Sequence, residues 1–154
     1  VISKEAVQGV CEFLRYGDTY DRVVRDVDLC SVYAPGVYEF RMGIYRTERR
    51  YPRLLAEEFY QFSDQVCLEV NEEQSSFYLQ PRNETEGMAL WYRCRSRWRR
   101  AKKKRQGYQI PSEVFTFTFS SVLPVTEGDV MVGFTREEGE PVGSECRELN
   151  VHIW

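Results

Sequence analysis

The sequence predicts a mainly β protein, an antiparallel β-sandwich of about seven or eight strands preceded by one or two N-terminal helices. Three observations lead there. Apolar residues recur with period two in several short stretches, as half-buried strands require. The chain holds ten Tyr, nine Phe and three Trp, and aromatic rings pack well on a pleated surface. Turn signals separate the alternating stretches, without the regular strand–helix alternation of βαβ units.

Residues 3–16 read as an amphipathic helix, with Ser3 as its cap, Val7, Val10, Cys11 and Leu14 on one face and Gly17 as its stop. A second short helix is expected from Thr19 to Asp28, capped by Asp18, with Tyr20, Val23, Val24 and Val27 aligned. Both apolar stripes are read first as packing against a sheet. Ala34-Pro35-Gly36 marks a turn. From Val37 to Tyr45 a strand follows, with Tyr38, Phe40, Met42 and Ile44 on one face. Pro52 suits the first turn of a helix reaching Phe62, although Phe59 to Phe62 reads equally well as extended chain. Gln65 to Val70 and Ser76 to Gln80 are short strands, and Pro81 to Gly87 is a polar turn. Val114 to Ser120 is the clearest strand, setting Phe115, Phe117 and Phe119 against Thr116, Thr118 and Ser120. Val130, Val132 and Phe134 begin another strand after the Glu127-Gly128-Asp129 turn, and Leu149, Val151 and Ile153 form the last.

One long strand remains, from Met88 to Arg99. Strict alternation places Leu90, Tyr92, Cys94, Ser96 and Trp98 on one side. Trp91, Arg93, Arg95, Arg97 and Arg99 fall on the other. The basic run continues through Arg100, Lys102, Lys103, Lys104 and Arg105 until Gly107. Nine of the 21 Lys and Arg residues lie in this strip, and the other 12 face all 24 Asp and Glu. A chain of net charge −3 is therefore an acidic body with one concentrated basic strip.

At 154 residues the chain suits one domain, with residues 1–30 as a helical lead-in and 31–154 as the sandwich. No apolar window reaches the length of a transmembrane helix. The opening Val1-Ile2-Ser3-Lys4-Glu5 is neither an initiator methionine nor a signal-peptide pattern, which suggests a domain of a longer protein. Cys11, Cys30, Cys67, Cys94 and Cys146 are odd in number and widely spaced. That pattern argues against a disulfide framework or a zinc knuckle, and the expected compartment is intracellular, the cytoplasm first and the nucleus as an alternative.

Catalytic chemistry finds little purchase. The single histidine, His152, alternates outward on the last strand and has no evident partner. No pair of carboxylates is marked out for acid–base work, and no phosphate loop or metal motif is present. The sequence thus assigns no catalytic residue, no metal ligand and no cofactor. The acidic stretch containing Glu137, Glu138 and Glu140 could bind calcium loosely, but reads first as solvated or as a counter-charge to the strip.

The strip supports four readings. It can dock an acidic protein through arginine forks. It can contact phosphate, in nucleic acid or an anionic lipid. Arg99 to Arg105 also has the composition of a nuclear localisation signal. The plainest reading is a solvated hairpin loop, neutralised by the stretch from Glu127 to Glu148, which holds seven acidic residues against two basic. The first is preferred. The expected function is a non-catalytic interaction module that binds an acidic protein through Arg93, Arg95, Arg97, Arg99, Arg100, Lys102, Lys103, Lys104 and Arg105. Phosphate binding is the alternative, and an accessory domain of a hydrolase ranks third.

Two stretches resemble the accessory β-sandwich domain that follows the protease core in calpains. Val32-Tyr33-Ala34-Pro35-Gly36-Val37-Tyr38-Glu39-Phe40 is similar to that domain's strand entry. The passage from Phe59 through Gln65 and Leu68 to Arg99–Arg105 is similar to its Arg/Lys-rich hairpin, in a permuted order. The resemblance implies lipid, calcium or protein contacts and no catalytic residues.

Overall fold

A long second strand, bent at its middle, organises the fold. The computed structural model describes residues 22–48, 53–82, 87–119, 125, 127–141 and 146–154. Strand β2 (Gly36–Arg46) pairs through residues 36–41 with β3 (Phe62–Val70), and through residues 42–46 with β11 (Arg147–Ile153). Its even-numbered side chains, including Met42 and Ile44, point inward along both halves. Eleven residues are long enough to serve two sheets, so the sheets share an edge and curl round one core as a half-barrel.

On one side of β2, the antiparallel order runs through β3 to β4 (Ser75–Pro81), β8 (Gly107–Pro111) and β7 (Lys102–Lys104). On the other side it runs through β11 to β10 (Glu127–Arg136), β9 (Thr116–Phe119) and β1 (Arg22–Val24). The hairpin of β5 (Met88–Cys94) and β6 (Arg97–Arg100) branches from β10. All pairings are antiparallel.

The mainly β, antiparallel expectation holds, and three details change. Eleven strands replace seven or eight among the described residues, in part because the stretch expected as one strand from Met88 to Arg99 folds back on itself. The second helix is absent over its described part, where Arg22–Val24 pairs with β9. Val23 is exposed and Val24 buried there, a period of two that its valines fit as well as a helical stripe. The helix expected from Pro52 is replaced by a bridge from Leu55 to Tyr45 and a 3₁₀ turn at Glu57–Gln61, after which Phe62 opens β3. The helix expected over residues 3–16 lies outside the described residues.

The core is aromatic where the two walls meet. Phe115 and Phe117 stack with centroids 5.5 Å apart, and Phe77 from the opposite wall approaches Phe115 to 4.7 Å. Phe115, Phe117 and Phe119 are all buried, while Thr116 and Thr118 are half-buried. A polar clasp crosses the same region. Ser112 Oγ accepts the Leu29 N–H at 3.0 Å and lies 2.5 Å from Ser75 Oγ, which itself donates to Asp28. Three segments far apart in sequence are thereby pinned, with the buried hydroxyls satisfied by one another. The four described cysteines are free thiols. Burial, reinforced by Asp28, pushes the Cys30 thiol up to about 11, so it stays protonated and unreactive near neutrality.

Candidate functional site

The basic strip is built on a hairpin whose turn the alternation pattern conceals. Cys94 pairs with Arg97 across a two-residue turn, Arg95-Ser96, and Arg95 takes a left-handed backbone with φ of 59°. Such a turn normally favours glycine at a positive φ. It also reverses which residues share a face, because direct cross-strand partners point the same way. Trp91, Arg93, Trp98 and Arg100 lie on the outer face, and Tyr92, Cys94, Arg97 and Arg99 on the inner one. The expected single arginine face, with Trp98 opposite it, is corrected accordingly.

The outward arginines are engaged with aromatic rings. Arg93 stands 4.6 Å from the Trp98 centroid and Arg100 is 5.9 Å from that of Trp91. Arg93 also pairs with Glu148 at 3.4 Å, and Arg100 donates to the carbonyl oxygen of Glu137 at 2.8 Å. The side chains of Arg95, Arg97 and Arg99 are exposed and make no hydrogen bond or ion pair among the described residues.

These three line a cleft of about 930 Å³, together with Arg93. Its position follows from the strand pairing. β9 pairs with β10 as far as Asp129↔Thr116, and β5 takes up the same side of β10 from Val132↔Tyr92. Between them Val130 and Met131 have β11 on one side and, among the described residues, no strand on the other. The sheet is split at this point, and Val130, Met131, Val114 and Phe115 give the cleft an apolar wall. Glu113, Asp129, Asp26 and Arg25 also line the cleft.

Asp129 belongs to a second cluster on the outer face of β10, β11 and β2. Its Oδ1 lies 2.9 Å from His152 Nδ1 and accepts from Asn150 Nδ2 at 2.9 Å, with Arg53 at 3.6 Å. Burial works against the Asp129 charge, but the hydrogen bonds from His152 and Asn150, aided by the charges of His152 and Arg53, hold its carboxyl below the usual carboxylate value. His152 Nε2 lies 3.6 Å from Glu127, and its ring stacks on Trp154 at 5.6 Å and meets Tyr45 edge-on at 6.2 Å. The expectation of a histidine without partners is therefore corrected. His152 was expected to face outward, but Asp129 was expected in a turn; β10 instead begins at Glu127, and the register Asp129↔His152 sets the two face to face.

The rest of the strip goes elsewhere. After buried Ala101 the chain crosses to the other wall, where Lys102, Lys103 and Lys104 form β7 and Arg105 occupies its turn to β8. Gly107 closes that turn at φ of 130°, where a side chain would strike the Leu79 backbone. β7 ends one wall and β6 ends the branch, so these two outer edges carry Lys and Arg, while β1 ends the other wall. Charge on an edge discourages pairing with another chain. Glu137, Glu138 and Glu140 form no group of three ligands suited to a metal ion among the described residues.

No family model matches the chain, and no curated protein matches it. Among the solved structures that resemble it are two heme complexes. One is a mutant of the NEAT5 domain of IsdX2 in complex with heme, with a TM-score of 0.47 and 8% identity over 79% of this chain and 97% of that one. The other is the NEAT5 domain of IsdX2, a hemophore of B. anthracis, in complex with heme, with a TM-score of 0.46 and 7% identity over 78% and 96%. These matches are not calpain domains, and the calpain resemblance is corrected on that finding. The expected binding of an acidic protein through the basic strip is corrected as well. The ligand in the matched structures is a small molecule rather than an acidic protein, nucleic acid or lipid surface. In this chain the strip is divided between two walls and two faces, which removes the continuous face that such docking was expected to use. Among the described residues no helix is long and apolar enough to cross a membrane.

Proposed function

We propose that this chain is a non-enzymatic binding module for a small organic anion, one with a carboxylate head and an apolar body, held in the cleft at the split between β5 and β9. The observation that carries this reading is the meeting of three guanidiniums, Arg95, Arg97 and Arg99, which have no side-chain partner among the described residues, with an apolar wall in one concave site. Arginine forks match carboxylate geometry and stay charged at any working pH. The cleft volume suits a small ligand, since such pockets commonly measure about 300–1,000 Å³. Glu113 and Asp129 in the wall oppose an extended polyanion more than a compact ligand whose charge is concentrated at one end.

Calorimetric titration with a panel of probes tests the reading. The panel holds an aromatic dicarboxylate, heme (the ligand of the two NEAT structures, which carries carboxylates on a flat apolar body) and inorganic phosphate as the non-apolar control. At least one of the first two should bind, and more tightly than phosphate. Arg97→Ala and Arg99→Ala should each weaken that binding about tenfold or more, the loss expected of one charge-assisted hydrogen bond. Absence of binding across the panel, or equal binding by the double variant, would refute the proposal.

A further inference from the structure

The cleft and the histidine cluster share a residue. Asp129 lines the split and at the same time accepts from His152 at 2.9 Å. We infer that His152 controls the affinity of the cleft through Asp129, so that an organic anion binds more tightly as pH falls. The inference rests on the reading of the cleft as an anion site and adds its regulation.

The charges around the ring decide the sign. From β10, Asp129 and Glu127 flank the two ring nitrogens, at 2.9 Å and 3.6 Å. From β2 the ring meets the Tyr45 phenol edge, just past its own strand it stacks on Trp154, and Asn150 of that strand donates to Asp129. Arg53 approaches the nearer partner, Asp129, at 3.6 Å. On the cleft side stand Arg25, Arg93, Arg95, Arg97 and Arg99, opposed by Asp26 and Glu113 and joined by Cys94. A neutral His152 leaves Asp129 in the cleft lining, and Glu127 two residues before it, with the Arg53 guanidinium 3.6 Å from Asp129. A protonated His152 adds a positive charge next to both, and the potential felt by an anion in the split rises. Histidine is the side chain that ordinarily changes charge between about pH 5 and pH 8, and this chain contains one.

Linkage makes the effect reciprocal. If protonation of His152 favours the anion, the bound anion must favour protonation of His152 by the same factor. A single histidine allows this to be read without ambiguity from its ring C–H resonances.

The test uses a naphthalene disulfonate, whose charge is constant over the range. Its affinity for the wild type should rise by about threefold or more from pH 8 to pH 5. In His152→Gln the affinity should stay level over that range. In the wild type, saturating probe should move the His152 titration midpoint upward. If the probe binds but His152→Gln keeps the same pH dependence, or the midpoint stays put, this inference is wrong and the cleft reading stands. If neither the probe nor any carboxylate of the earlier panel binds the wild type at either pH, both fall together.

Discussion

The guanidinium of Arg93 lies over the indole of Trp98, 4.6 Å from its centroid, and the two are direct partners across the β5–β6 hairpin. In an unbroken strand they would sit on opposite faces, because their numbers differ in parity. Their contact is the signature of the turn at Arg95-Ser96, and through that turn the inner arginines reach the cleft.

Arg95 holds a left-handed backbone that glycine adopts without penalty. Arg95→Gly should therefore raise stability by about 1 kcal/mol while weakening anion binding. Urea unfolding and calorimetric titration of one variant measure both. A variant that loses stability and keeps full affinity would contradict the turn geometry and the role given to this side chain.

Phe117 is fully buried, stacks on Phe115 and contacts Phe77 from the facing wall. Phe117→Ala should cost about 3–5 kcal/mol, provided the site cannot collapse round the lost ring. Chemical denaturation gives the figure, and a near-neutral result would show that the walls close over the gap.

The clasp at Ser112 can be cut with one atom. Ser112→Ala leaves the buried Leu29 N–H without its acceptor and removes a partner of Ser75. The expected cost is about 1–3 kcal/mol, that of an unsatisfied buried donor. Amide exchange at Leu29 should speed up in the variant. Unchanged protection there would mean that another acceptor takes over.

Asp129 predicts the acid limb of the stability curve. Its carboxyl is held below the usual carboxylate value, so the stability it contributes is complete above the ordinary value of about 4 and fades as pH falls through the lowered one. The gap in unfolding free energy between wild type and Asp129→Asn should favour the wild type near pH 7 and close as pH drops below about 4. A gap that stays constant down to low pH would rule out this contribution.

Lys102, Lys103 and Lys104 guard the outer edge of β7. Replacing all three by Thr keeps strand propensity and removes the charge. The variant should self-associate, visible as concentration-dependent light scattering, with little change in the stability of the monomer. A variant that stays monomeric at high concentration would leave these lysines without an edge-guarding role.

Much of the wall structure follows from local sequence. Phe115, Phe117 and Phe119 alternate with hydroxylated residues, and only one face of that strand can be buried at low cost, so their inward orientation is dictated before any partner is known. The same holds for Met42 and Ile44, and for Leu149, Val151 and Ile153. The concentration of arginine and lysine is equally a property of the chain. Its division is not. Whether Trp98 shares a face with Leu90 or with Arg93 depends on where the chain reverses, and the residues at Arg95-Ser96 carry none of the glycine or asparagine that usually marks such a turn. Likewise, Asp129 and His152 become partners, and Val130 and Met131 line a cleft, only through the register of β10 against β11 and the two strands that share its other side. Pairing register is a long-range choice, set when all the apolar faces are buried together, and no local stretch of sequence contains it.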